Sequence, residues 1–185
     1  MREGQIMDRS FSEKLKKIIL LVLDVDGVLT DGKIIIDDLG NESKNFHVRD
    51  GHGLRLLMRG GVDVMLLTGR TSEVVKHRAN ELGIKDVYQG AKDKAQVLGE
   101  ILAERGLPGE CIAYVGDDVV DIPVFKMVGF SAAVADAPGY VRAQADYVTE
   151  KEGGGGAVRE ICEMLLNAQG TWSSVIARYG MDAGG

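Results

Sequence analysis

Cysteine and proline are scarce in this 185-residue sequence, at 2 and 3 residues, and aromatics make up only 5%. Two cysteines, Cys111 and Cys162, cannot build a disulfide framework. Both lie in apolar surroundings, so free buried thiols in a reducing, cytoplasmic compartment are expected. With so little proline and no G-X-Y period, the 25 glycines do not describe a collagen-like chain. Positive charge is also in deficit. Against 28 acidic residues stand 22 Lys and Arg, a formal net charge of −6, which makes a nonspecific nucleic-acid binder a poor fit. No apolar run is long enough to cross a membrane. Ile18–Leu23 follows Lys14, Lys16 and Lys17 in the manner of a leader peptide, but Asp24 and Asp26 end it after one strand's length.

What is present is the apolar content of a packed globule, 45%, in a chain the length of one domain. The chain divides into an N-terminal extension (1–13), an α/β domain (14–170) and a C-terminal tail without a clear period (171–185). Ile18–Leu23 is a continuous apolar run, as expected of a strand covered on both faces, and Val62–Leu67, Ile112–Val115 and Phe130–Val134 read as further strands. Val87-Tyr88 and Asp146–Val148 are shorter ones. Ile34–Ile36 and Lys44–Val48 flank a turn-rich stretch and predict a β-hairpin. Helices are expected from Gly53 to Arg59, from a Ser72 cap to Leu82, over Lys92–Arg105, Pro123–Val128 and Ala157–Ala168, with a helical turn at Tyr140–Ala143. Strands alternating with helices predict a doubly wound parallel sheet with right-handed crossovers. Ligands bind such sheets at the carboxyl ends of the strands.

Those ends carry an unusual set of groups. Asp24-Val25-Asp26-Gly27-Val28-Leu29-Thr30-Asp31 follows the first strand, and Thr68-Gly69-Arg70 the second long one. Lys92 and Lys94 open the helix after Val87-Tyr88. Gly116-Asp117-Asp118-Val119-Val120-Asp121 follows Ile112–Val115. Asp24, Asp26 and Asp117 brought together would repel unless a hard divalent cation sat among them, and oxygen ligands suit Mg²⁺. A carboxylate beside that ion can attack phosphorus. A second acid two residues on can protonate a leaving alkoxide and later activate water. Thr68 and Lys94 can hold phosphoryl oxygens. Each piece alone is commonplace; Asp-x-Asp is usually a solvated turn. In order, and each at a strand end, the set points to phosphoryl transfer.

These segments resemble the four motifs of the haloacid dehalogenase (HAD) superfamily of phosphatases. Asp24–Asp31, Phe46–Arg55, Thr68–Arg70, Tyr88–Gly90, Tyr114–Asp121 and Gly155–Glu160 resemble, more narrowly, the 3-deoxy-D-manno-octulosonate 8-phosphate (KDO 8-phosphate) phosphatases, over roughly residues 15–170. The resemblance implies a HAD-like fold with a hairpin insertion and no cap domain. It implies Asp24 as nucleophile and Mg²⁺ ligand, and Asp26 as acid/base that binds Mg²⁺ through its carbonyl. Thr68 and Lys94 would bind phosphate and Asp117 would complete the metal site, with Asp118 and Asp121 supporting it from behind. His47, Val48, Arg49, Asp50 and Gly51, with Arg55, Gly69, Arg70 and Arg78, would contact substrate, partly across subunits of a homotetramer.

The arginines carry an argument of their own. A phosphate served by Mg²⁺, Thr68 and Lys94 does not need Arg49, Arg55, Arg70 and Arg78 as well, and Arg is the preferred partner of a carboxylate. Either they make surface ion pairs or the substrate carries a second anionic group, as a sugar acid phosphate does. Gly153–Gly156 is a hinge or a close-approach segment; relatives carry a larger residue within this run. KDN or N-acylneuraminate 9-phosphate would satisfy the same logic. A phospho-accepting receiver domain shares the residue types but places its acidic pair and its phosphorylated Asp in the other order. A silent binding homologue would lack one of these groups, and none is missing.

Overall fold

Leu20–Leu23 (β1) is the centre of the molecule in this computed structural model, which describes residues 9–180. All four residues of β1 are buried, as a strand covered on both faces must be. Asp63–Leu67 (β4) pairs with one side of β1, and Ile112–Gly116 (β6) with the other. Asp86–Tyr88 (β5) extends the sheet beyond β4; Phe130–Ala133 (β7) and Tyr147–Val148 (β8) extend it beyond β6. The order is β5-β4-β1-β6-β7-β8, and every pairing is parallel. Strand order therefore reverses at β1, which is where such sheets open a crevice. Ile35–Ile36 (β2) and Glu42–Ser43 (β3) form a separate antiparallel hairpin between β1 and the next helix. Among the described residues no cap domain is inserted.

Val48–Arg59 (α2) packs along Ala157–Ala168 (α7), with Arg9–Lys16 (α1), Glu73–Leu82 (α3) and Trp172–Ile176 (α8) beside them. Lys94–Arg105 (α4) and Ile122–Phe125 (α5) pack together, and Gly139–Arg142 (α6) follows β7. Helix α7 buries Val158, Ile161, Cys162, Leu165 and Leu166, each contributing up to about 1.5–3 kcal/mol by burial.

Several elements differ from their sequence-based boundaries. Helix α2 starts at Val48 rather than Gly53, so Val48 is helical and not the end of a hairpin strand, and the strands shrink to two residues each. Gly51 and Gly53 weaken the helical signal, yet both are needed for packing: a Cβ on Gly53 would lie 2.9 Å from Arg159 Cδ. Ser72 occupies the N-cap of α3, but its hydroxyl accepts no capping bond and is buried without a partner. Helix α4 starts at Lys94, because Asp93 caps it by accepting from the Gln96 amide. Residues 171–180, read as a tail, contain α8, and Tyr179 accepts from Arg59 and bonds His52 at 3.0 Å. Helix α1 starts at Arg9, before the expected opening of the domain, and buries Leu15 completely. Cys162 is fully buried, Cys111 only partly.

The glycine run is a close-approach segment. Gly154 donates its amide to the Val28 carbonyl at 2.9 Å, with φ at +61°. A Cβ on Gly153 would fall on the Gly27 carbonyl. The run is thus seated on the loop after β1 of its own chain. At Gly155 an added Cβ meets nothing nearer than the Glu152 carbonyl at 3.1 Å. Gly153→Ala should cost about 2–3 kcal/mol and Gly155→Ala less than about 1 kcal/mol. Urea unfolding checks this, and equal costs would refute the seating.

Candidate active site

The loop after β1 is built before any chemistry is added. Thr30 is buried, and its hydroxyl accepts the amides of Gly27 (3.3 Å) and Gly32 (3.2 Å) while lying 3.4 Å from the Val25 carbonyl. This folds residues 25–32 into a tight bend that leaves Asp24 at the strand end. The Asp24 amide donates to the Val115 carbonyl of β6. Gly27 has φ +94°, and a Cβ there would collide with the Asp117 carboxylate, so the bend and the loop after β6 can touch only because that residue is glycine.

Behind them sits Asp121, completely buried. One carboxylate oxygen accepts from Lys94 Nζ and from the Tyr114 hydroxyl, both at 2.6 Å. The other accepts the amides of Asp117 (2.9 Å) and Asp118 (3.1 Å). Asp118 caps the following 3₁₀ turn through the Val119 amide. Lys94, also buried, lies 2.9 Å from Asp24. One ammonium thus bridges the ends of β1 and β6. Thr68 is buried at the end of β4, held by its amide to the Tyr88 carbonyl.

Asp24, Asp117 and Asp121 place carboxylate oxygens within 4.8 Å of one another. Three carboxylates against the single Lys94 leave an excess of two negative charges. Burial, then repulsion from Asp24 and Asp121, pushes the Asp117 carboxyl well up. Burial pushes Asp24 up against the pull of Lys94. Burial alone would lower the Lys94 ammonium, but Asp24 and Asp121 outweigh it and hold it protonated. The Tyr114 phenol is driven well above its ordinary range by burial and by Asp121, so it serves as a donor. Hard oxygen donors with two uncompensated charges fit a divalent cation. Asp121, with both oxygens engaged, is the brace, and Asp24 and Asp117 face the gap.

Asp26 stands beside this cluster, its Oδ1 on Lys44 and its Oδ2 3.7 Å from Arg70 Nε. Arg70 also binds Glu42 of β3 at 3.0 Å. Gly69 lies between Thr68 and Arg70, so it shares the loop. The other expected substrate residues make no ion pair with Asp24, although His47, Gly51 and Arg78 line a cavity with Leu29 and Leu66. Val48 and Arg49 are exposed at the start of α2. Asp50 is buried, and its carboxylate accepts the amides of Gly156 (3.3 Å) and Arg159 (2.7 Å), capping α7 from another helix. His47 is half-buried, 3.7 Å from Asp50. Gly51 backs onto Arg78. Arg78 pairs with Glu81 at 2.7 Å and covers the Phe46 ring, while Arg55 donates to the Glu81 carbonyl. The sequence reading missed Tyr114, Lys44 and Glu42 as contributors. Lys44 and Glu42 have no motif spacing and are brought in by the folded hairpin; Tyr114 opens the Tyr114–Asp121 segment, but only the fold turns its hydroxyl onto Asp121.

A family model of haloacid dehalogenase-like hydrolases matches residues 83–161. Over 157 residues the chain is 47% identical to 3-deoxy-D-manno-octulosonate 8-phosphate phosphatase KdsC of Escherichia coli K12, covering 85% of this chain and 84% of that one. The chain belongs to the KdsC family of haloacid dehalogenase-like hydrolases. A crystal structure of 3-deoxy-D-manno-octulosonate 8-phosphate phosphatase from Moraxella catarrhalis, in complex with magnesium, phosphate and KDO, superposes with a TM-score of 0.88 at 42% identity, covering 91% of this chain and 97% of that one. The cobalt-bound deoxy-D-mannose-octulosonate 8-phosphate phosphatase from Haemophilus influenzae gives 0.83 at 44% identity, covering 86% and 94%.

Tyr114→Phe removes one donor to a buried carboxylate that keeps three others. It should cost about 1–2 kcal/mol of stability by urea unfolding. A loss near zero would mean that the Tyr114 hydroxyl does not brace Asp121.

Proposed function

We propose that this chain is a Mg²⁺-dependent phosphatase that hydrolyses KDO 8-phosphate to KDO and inorganic phosphate. The observation that carries the reading is the braced acidic cluster at the ends of β1 and β6, in a chain 47% identical to KdsC. Asp24, Asp117 and the carbonyl of Asp26 would hold the ion; when bound, it offsets the carboxylate charge and withdraws charge from the phosphoryl oxygens. Asp24 attacks phosphorus, and the bond from phosphorus to the sugar oxygen breaks. Asp26 gives its proton to the departing oxygen. Asp26 then takes a proton from water, which attacks the aspartyl-phosphate and releases phosphate and free Asp24. Lys94 and the Thr68 hydroxyl stabilise the phosphoryl oxygens as charge spreads over them. Asp24→Asn should abolish release of phosphate from KDO 8-phosphate with Mg²⁺ present, leaving the circular dichroism spectrum unchanged. Retention of most of the activity would sink the assignment. KDN and N-acylneuraminate 9-phosphate are the second reading, since the same arginines suit any sugar acid. Faster turnover of either would decide for it.

The working unit in this proposal is a homotetramer in the cytoplasm. Among the described residues no helix is long and apolar enough to cross a membrane. Ile34, Ile35, Ile36 and Leu39 are exposed on the hairpin, not packed on their own domain. An apolar projection of this kind suits a subunit contact. Arg49, Arg55 and Arg78, which make no ion pair with the carboxylates around Asp24, would serve a neighbouring site. A double substitution of Ile34 and Ile36 to Asp should give a monomer by light scattering. Its KM for KDO 8-phosphate should rise about tenfold or more, with p-nitrophenyl phosphate little changed. A wild-type monomer, or parallel changes for both substrates, would refute this arrangement.

A further inference from the structure

The hairpin delivers a charged side chain that the chemistry above leaves unused. Along Asn41–Phe46 exposure alternates: Glu42, Lys44 and Phe46 turn toward the molecule, while Asn41, Ser43 and Asn45 face out. This is the two-residue period of extended chain. Phe46 packs against the core and fixes the inward face. The Lys44 side chain is only 2% exposed, and its ammonium sits between two carboxylates, 2.5 Å from Asp26 Oδ1 and 3.2 Å from Glu42 Oε1. Glu42 also holds Arg70, which in turn lies near Asp26 Oδ2. Two acids and two bases thus close a neutral ring around Asp26. It joins the loop after β1, strand β3 and the loop after β4.

A lysine so fully withdrawn from water needs paired partners, and here it has them. A two-stranded hairpin this short does not need a buried ammonium for its own ladder, and would be marginal alone in any case. What Lys44 does is engage one oxygen of Asp26. Oδ1 is committed to it, and Oδ2, 3.7 Å from Arg70 and so beyond hydrogen-bond reach, is left free. Proton transfer requires the acid within about 2.6–3.2 Å of the oxygen it serves. A displacement of about 1 Å can cost about a hundredfold in rate.

We infer that Lys44 is a positioning residue for the acid step: it clamps Asp26 so that Oδ2 carries the proton to the leaving sugar oxygen. This rests on the reading of Asp26 as the acid. The proton moves from Asp26 Oδ2 to the sugar oxygen as its bond to phosphorus breaks. Lys44 stays protonated throughout and transfers nothing. Glu42 shares the ammonium, so Lys44 brings no uncompensated charge to Asp26.

The test uses leaving groups. An alkoxide leaves only with a proton, whereas p-nitrophenolate leaves without one. Lys44→Met keeps most of the stem and removes the ammonium. Rapid-quench first-turnover rates with Mg²⁺ should fall about tenfold to a hundredfold for KDO 8-phosphate, with a nearly unchanged p-nitrophenolate burst. KM should stay within about threefold, and Lys44→Arg should recover part of the loss. Equal losses on the two substrates, or no loss on either, would overturn the inference. Circular dichroism and the thermal midpoint report on folding. Should Lys44→Met not fold, Glu42→Gln loosens the same clamp and must show the same dependence on leaving group, or the inference falls. If the wild type turns over p-nitrophenyl phosphate but not KDO 8-phosphate, the substrate reading fails instead. The Lys44 comparison is then run on whichever sugar phosphate the wild type hydrolyses.

Discussion

Asp121 has no surface of its own in contact with water, yet four donors from three parts of the chain end on its carboxylate. A buried charge without partners would cost several kcal/mol. Here that cost is turned into order. Lys94 from the start of α4, Tyr114 from within β6 and the backbone of the loop after β6 can be satisfied only in one arrangement. That arrangement also sets Lys94 against Asp24. The site is therefore not a collection of loop residues that happen to meet. Its geometry is the solution to a buried electrostatic problem, with the charge left over suited to a divalent cation.

The loops above this brace fit together through missing side chains. Gly27 admits the Asp117 carboxylate, and Gly153 and Gly154 admit the backbone of residues 27–31. Each contact is backbone or carboxylate against backbone, with no intervening methyl group. Rigidity here comes from close approach, in line with the dense packing of protein interiors. A glycine-rich composition thus accompanies a stiff site.

Much of this was legible in the sequence. Apolar runs marked the buried strands, and the residues after them marked Asp24, Asp26, Thr68, Lys94 and Asp117 as candidates, because strand ends in a doubly wound sheet converge by topology; of these the structure brings Asp24, Lys94 and Asp117 together. Helix α7 was found to the residue, since its apolar stripe is clean. What stayed hidden depends on contacts between segments distant in sequence. Asp50 looks like a loop carboxylate beside a histidine, but it caps α7, more than a hundred residues away. The start of α2 is obscured by Gly51 and Gly53, whose close packing against Arg78 and Arg159 outweighs their low helix propensity. Ser72 has the right identity for a cap and stands at the N-cap of α3, yet its hydroxyl accepts no helix amide, while its own amide donates to the Gln89 side chain at 2.6 Å. Lys44 and Glu42 lie just after a turn-rich stretch, on a short hairpin where lysine and glutamate are ordinary surface residues.

In the proposed function, chemistry and recognition occupy different places in this chain. The groups proposed to make and break the bond to phosphorus share one buried network, complete within a single molecule. The arginines suited to a sugar carboxylate are spread over α2 and α3, where Glu81 neutralises Arg78 and its carbonyl engages Arg55. Arg70 alone stands at the boundary, tied to Asp26 and Glu42. A site with no cap domain gains discrimination only from what closes over it. The exposed isoleucines of the hairpin and the exposed Arg49 are parts of this surface without a task inside their own domain. A neighbouring subunit would give both of them one, and the phosphate-handling groups would work the same whatever sugar that neighbour selects.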